Sequence, residues 1–93
     1  MKLTDAEKKA LKGRGYILNR DGEHFIARII TEDGTLTSEE LAVVSEAAKT
    51  FGSGCVAMTS RMTVEVQGLT YENIEPFDQF LKERGLYVGG TGA

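Results

Sequence analysis

The sequence predicts an α+β domain built on a β-α-β-β-α-β order, with its helices on one face of a small sheet. Three observations carry that reading. Two capping-box signatures, Thr4-Asp5-Ala6-Glu7 and Thr37-Ser38-Glu39-Glu40, open helical patterns. The apolar positions Leu41, Val44, Ala47, Ala48 and Phe51 recur at helical spacing. Met62, Val64 and Val66 instead alternate with Thr63, Glu65 and Gln67, the period of a strand with one wet face.

The elements follow in order. A short helix is predicted over residues 5–12, stopped by Gly13, with Lys8, Lys9 and Lys12 toward its C-terminal end, where the helix dipole favours cations. Those lysines read as a solvated helix end. Tyr16-Ile17-Leu18 forms a short strand, and Asp21-Gly22 turns the chain into a second strand over residues 24–31. Glu32-Asp33-Gly34 breaks that strand ahead of the second helix, which Gly52 ends. Residues 54–58 read as a buried strand, with Cys55 as a small buried hydrophobe. Residues 62–66 form the next strand, closed by Gly68. A third helix places Ile74, Phe77, Phe80 and Leu81 inward and leaves Glu72, Glu75 and Asp78 on a wet face. Because Pro76 belongs in a first turn, the cap is placed near Asn73 rather than Thr70. Gly85 stops this helix before a last strand, Leu86-Tyr87-Val88.

From His24 onward this is the split βαβ, or ferredoxin-like, unit, with residues 1–23 as an N-terminal helix and strand extension and residues 89–93 as a Gly-rich linker. The topology sets the strand of residues 25–30 antiparallel to that of residues 62–66. Phe25, Ala27, Ile29, Met62, Val64 and Val66 then face the helices, while Ile26, Arg28, Ile30, Arg61 and Thr63 share the uncovered face. Arg28 inside an apolar run and Arg61 in the polar link Thr59-Ser60-Arg61 would together make an anion-binding surface there.

Composition narrows the function. With 93 residues, 41% hydrophobic and 27% charged, the chain reads as one domain, residues 1–93. A net charge of −3 disfavours a nucleic-acid backbone binder. One cysteine, Cys55, makes neither an internal disulfide nor a four-thiolate cluster, and one histidine, His24, gives little basis for a zinc site or a catalytic triad. His24 reads as a half-exposed strand residue. The lack of a long apolar stretch or an N-terminal leader predicts a cytoplasmic protein with no membrane association.

Residues 25–92 resemble the ferredoxin-like half-domain of sirohaem-dependent nitrite and sulfite reductases. The resemblance rests on Ala27-Arg28-Ile29, on the Thr-capped helix after Gly34-Thr35-Leu36-Thr37, on Thr59-Ser60-Arg61, on the strand closing at Gly68, and on Arg84-Gly85-Leu86. It implies that Arg28 and Arg61, with Thr59 beside them, contact the sirohaem carboxylates or the oxyanion substrate. It further implies a longer parent oxidoreductase whose C-terminal region holds a [4Fe–4S] cluster. That enzyme takes electrons from a donor protein and passes them through sirohaem to sulfite or nitrite. This segment alone, an N-terminal fragment on that reading, is expected to bind no cofactor, to hold no metal and to be catalytically silent. The bare sheet face is expected to favour self-association. A stand-alone regulatory or dimerising ligand-binding module is the alternative, since Ile26 and Ile30 suit an interface equally well. An RNA-binding sheet is disfavoured because that face lacks paired aromatics.

Overall fold

A computed structural model of the chain describes residues 4–30, 35–58 and 63–89. The described elements are α1 (Asp5–Gly13), β1 (Tyr16–Leu18), β2 (His24–Ile29), α2 (Ser38–Phe51), β3 (Val56–Met58), β4 (Val64–Thr70) and α3 (Tyr71–Lys82). The four strands form one antiparallel sheet in the order β1-β2-β4-β3. Both capping boxes are made. Thr4 Oγ1 accepts from the Glu7 amide at 3.1 Å and Glu7 reaches back to the Thr4 amide at 3.0 Å. Thr37 and Glu40 repeat the exchange at 3.0 and 2.8 Å. Each box satisfies two N–H groups that the first helical turn leaves without an intrahelical partner.

One core forms between the sheet and the helices. Phe25, Ala27 and Ile29 of β2 and Val64, Val66 and Leu69 of β4 are buried against Leu11 of α1, Val44, Ala47 and Ala48 of α2, and Ile74, Phe77 and Leu81 of α3. Tyr16 and Phe51 meet Phe77 edge-on at ring separations of 6.3 and 6.2 Å. Leu41, expected inward, is 47% exposed, one turn too early on α2 to reach this core.

The β2–β4 pair carries a bulge. Phe25 faces Leu69 and Ala27 faces Val66, so two steps along β2 span three along β4. Gly68 absorbs the extra residue with φ +81°. The strand therefore does not close at Gly68 but continues to Thr70, and the inserted residue returns Leu69 to the core side after Val64 and Val66.

Four further expectations change. Helix α3 starts at Tyr71, with Thr70 as an N-cap lacking a side-chain cap bond, so Pro76 lies in its second turn. There Pro76 lacks the N–H that would bond the carbonyl four residues back. Asn73, expected as the cap, instead donates its side-chain amide to the Phe51 carbonyl at 2.9 Å and ties α3 to α2. Residues 54–58 give only the three-residue edge strand β3. Met58 is 68% exposed and Cys55 is exposed just ahead of the strand, at the end of the sheet. Leu86-Tyr87-Val88 does not form a full strand either. It makes one bridge, Ile29 to Val88, because β1 already occupies the rest of that edge of β2. The Arg28 amide donates to Gly15 O and the Arg28 carbonyl accepts from Gly89, each at 3.0 Å, so the two segments meet end to end. A Cβ on Gly15 would run into the Gly89 carbonyl, which leaves that position to glycine.

Asp78 is not on a wet face. It is 8% exposed, accepts from the Tyr16 hydroxyl at 2.6 Å, and pairs with Lys82 at 2.9 Å and more distantly with Arg14 at 3.7 Å. Arg14 also bonds Glu75 at 2.8 Å and stands over the Tyr16 ring. Burial alone raises the Asp78 pKa, but the Tyr16 and Lys82 hydrogen bonds and the charges of Lys82 and Arg14 outweigh it and hold the carboxyl below the ordinary aspartate range. Burial first, and then the Asp78 carboxylate, push the Tyr16 phenol upward.

Two outcomes are expected. Gly68→Ala places a Cβ at a positive φ and 2.5 Å from Ser53 Cβ, and should lower the unfolding free energy by about 1–3 kcal/mol in urea titrations. Since the folded-state pKa of Asp78 lies below its unfolded value, the stability it contributes is fully present above the unfolded pKa and is lost as pH falls through the folded one. The stability advantage of the wild type over Asp78→Asn should be constant from neutral pH down to about 5 and shrink below about pH 4. An advantage that grows on acidification would contradict this arrangement.

Candidate functional site

The face opposite the helices is set by strand alternation. Ile17 of β1 lies across from Ile26 of β2, Arg28 of β2 across from Glu65 of β4, and Glu65 across from Ala57 of β3. Directly opposed residues project from the same side of a sheet, so Ile17, Ile26, Arg28, Glu65 and Ala57 share one surface. Ile26 and Arg28 are partly exposed, and Ile30, just beyond β2, is 57% exposed. The predicted division of faces thus holds for Phe25, Ala27, Ile29, Val64 and Val66 on one side and Ile26 and Arg28 on the other. Thr59, Arg61 and Met62 lie outside the described residues, as do Glu32-Asp33-Gly34 and residues 90–93.

Arg28 does not stand alone. Its Nε donates to Glu65 Oε2 at 3.2 Å, with the arginine side chain 30% exposed and the glutamate 14%. Arg28 therefore shares the face with a partnering carboxylate. The reason is the antiparallel register, which brings residue 65 directly beside residue 28. The signal was present in the sequence, because the alternation of Val64 and Val66 assigns Glu65 to the same face as Arg28. A guanidinium offers five N–H donors in a fixed plane. The bond at Nε fixes that plane, and the terminal nitrogens form the edge with which arginine pairs carboxylates in two-pronged fashion.

Elsewhere, His24 is half-exposed as expected and its Nδ1 lies 2.7 Å from Asp21 Oδ2. Asp21 Oδ1 accepts from the amides of Glu23 and His24 at 2.9 and 3.0 Å, and these bonds, the Glu23 amide foremost, lower the Asp21 pKa to about 2. This carboxylate organises the β1–β2 turn. Lys8, Lys9 and Lys12 are exposed, in keeping with a solvated helix end. No group of three or more His, Cys, Asp or Glu side chains suited to a metal ion occurs among the described residues, and no described helix is long and apolar enough to cross a membrane.

The Arg28–Glu65 pair can be weighed directly. A double-mutant cycle with Arg28→Met and Glu65→Gln should return a coupling free energy of about 1 kcal/mol at low ionic strength, decreasing with added salt. A coupling indistinguishable from zero would mean that the contact does not order the arginine.

Comparison with known proteins adds the family. No curated protein matches the chain. The model of the nitrite/sulfite reductase ferredoxin-like half domain matches residues 17–84, nearly three quarters of the sequence, starting in β1 and ending just past α3. Arg28 and Glu65 fall within the match, whereas α1, Arg14 and Tyr16 precede it. On that match, and on the antiparallel α+β architecture that accompanies it, the chain belongs to the nitrite/sulfite reductase ferredoxin-like half-domain family.

Proposed function

We propose that this domain contacts sirohaem and the oxyanion substrate of a nitrite or sulfite reductase, with Arg28, Arg61 and Thr59 as the contacting residues. The observation that carries the reading is the placement of Arg28, within the family match, on a helix-free sheet face beside Ile17 and Ile26. A flat macrocycle rimmed with carboxylates calls for an apolar surface interrupted by guanidinium groups, and those residue types fit it. A [4Fe–4S] cluster is a different matter. It needs four thiolates and this chain holds one cysteine, so in this reading the cluster is held by residues outside the sequence.

Sirohaem, when bound, supplies the redox chemistry that carries electrons onward from the cluster to sulfite or nitrite. This chain's own share is placement and charge compensation. Arg28, held at Nε by Glu65, directs its terminal nitrogens at a carboxylate or an oxyanion. Arg61 supplies a second positive charge, and the Thr59 hydroxyl a neutral hydrogen-bond donor. Ile17 and Ile26 give the macrocycle an apolar bed and keep water from that side, which strengthens the charged contacts nearby.

The test is sirohaem content in the intact reductase that carries this domain. Arg28→Ala together with Arg61→Ala should abolish most of the sirohaem absorption while far-ultraviolet circular dichroism stays native. Undiminished sirohaem in the folded double variant would overturn the assignment.

A further inference from the structure

We propose that Glu65 is the positioning residue for the anion contact of Arg28 and at the same time sets an upper limit on that contact's strength. The proposal rests on the reading of the helix-free face given above and deepens it by adding a residue that touches neither sirohaem nor substrate. Three observations carry it. Glu65 sits opposite Arg28 in the β2–β4 ladder, which fixes the backbones of both partners. Its carboxylate meets Nε, the one guanidinium nitrogen outside the terminal pair. It is also the better shielded of the two side chains, 14% exposed against 30%.

The geometry has two opposed consequences. A free arginine side chain on an open sheet face samples many rotamers, and ordering it on binding opposes association. With Nε already bonded, that ordering has been completed within the domain and the fork is presented in one direction. Against this, the carboxylate that orders Arg28 carries the same charge as the ligand. An anion at the terminal nitrogens lies within one guanidinium's width of Glu65, well inside the Debye length, and is repelled by it. A lone small anion therefore gains little from Arg28. A rigid ligand with several carboxylates gains more, because its other contacts hold it in place against the repulsion. Of the two contacts proposed above for Arg28, the pair thus favours the carboxylates of the planar macrocycle over the single oxyanion.

Glu65→Gln and Glu65→Ala separate the two effects, since glutamine keeps an acceptor for Nε without the charge while alanine removes both. The first measurement needs no cofactor. In nitrogen–proton spectra of the wild type, the Arg28 Nε–H should give a resolved signal protected from solvent exchange, retained in Glu65→Gln and lost in Glu65→Ala. The second is equilibrium binding of uroporphyrin, a planar tetrapyrrole rimmed with carboxylates, followed by its fluorescence. Glu65→Gln should bind about three- to tenfold more tightly than wild type at low salt, and more tightly than Glu65→Ala. An Arg28 signal equally unprotected in wild type and Glu65→Ala would overturn the positioning role, and so would equal affinities of the two Glu65 variants. Arg28→Gln tests the underlying reading separately. If it binds uroporphyrin as wild type does, the face is not the anion site, whatever the Nε–H signal reports.

Discussion

The antiparallel pairing of β2 with β4 is the constraint on which the rest of the molecule depends. It joins the two central strands, and its register decides which side chains enter the core and which meet on the far face. Ile29 opposite Val64 and Ala27 opposite Val66 bury four apolar residues in two cross-strand pairs. The same register sets Glu65 directly opposite Arg28. A slip of one residue would exchange the faces and put the arginine in the core. The bulge at Gly68 is what allows this register to coexist with Leu69 and Phe25 packed at the other end of the ladder. The fold and the Arg28–Glu65 pairing are thus fixed by one set of hydrogen bonds.

Charged groups separate to the two sides of this sheet, and the difference between them is informative. On the helix side, Asp78 is enclosed by Tyr16, Lys82 and Arg14, all from its own chain. Two of those partners, Tyr16 and Arg14, precede the family match, so this cluster attaches the N-terminal extension to α3. Its perturbed pKa has a structural cause, which guards against reading every shifted group as a functional one. On the other side, Arg28 and Glu65 are partly open to solvent and lie inside the match. An ion pair in such a position adds little to stability, so its orientation of the guanidinium is the more consequential effect.

Much of this was legible in the sequence because it is written locally. The two capping boxes, the turn at Asp21 and Gly22, and the period-two run through Val64 and Val66 each need only a few consecutive residues, and each is realised. The features that were not legible depend on contacts distant in sequence. Nothing near Gly68 distinguishes a bulge from a strand end, since the deciding fact is that Leu69 faces Phe25. Pro76 argued for a late helix start, yet tertiary packing of Ile74 and Phe77 holds the first turn from Tyr71. Asp78 looked solvated because its partner Tyr16 lies 62 positions away. For the site, the face of Arg28 was readable from alternation, and Glu65 was readable by the same rule once the two strands were taken as neighbours.

The overall charge places one more condition on an anion site. With a net charge of −3, the chain as a whole repels the ligand class proposed for it. The Arg28–Glu65 pair adds no net charge to the face, so it can orient a carboxylate at contact but cannot draw one in from a distance. Attraction has to come from further positive charge, and in the proposed reading that part falls to Arg61. The two arginines are then unequal. On the proposed roles, Arg28 would fix direction and Arg61 would supply potential, so salt should weaken the contribution of Arg61 far more than that of Arg28, whose contact acts at hydrogen-bonding range.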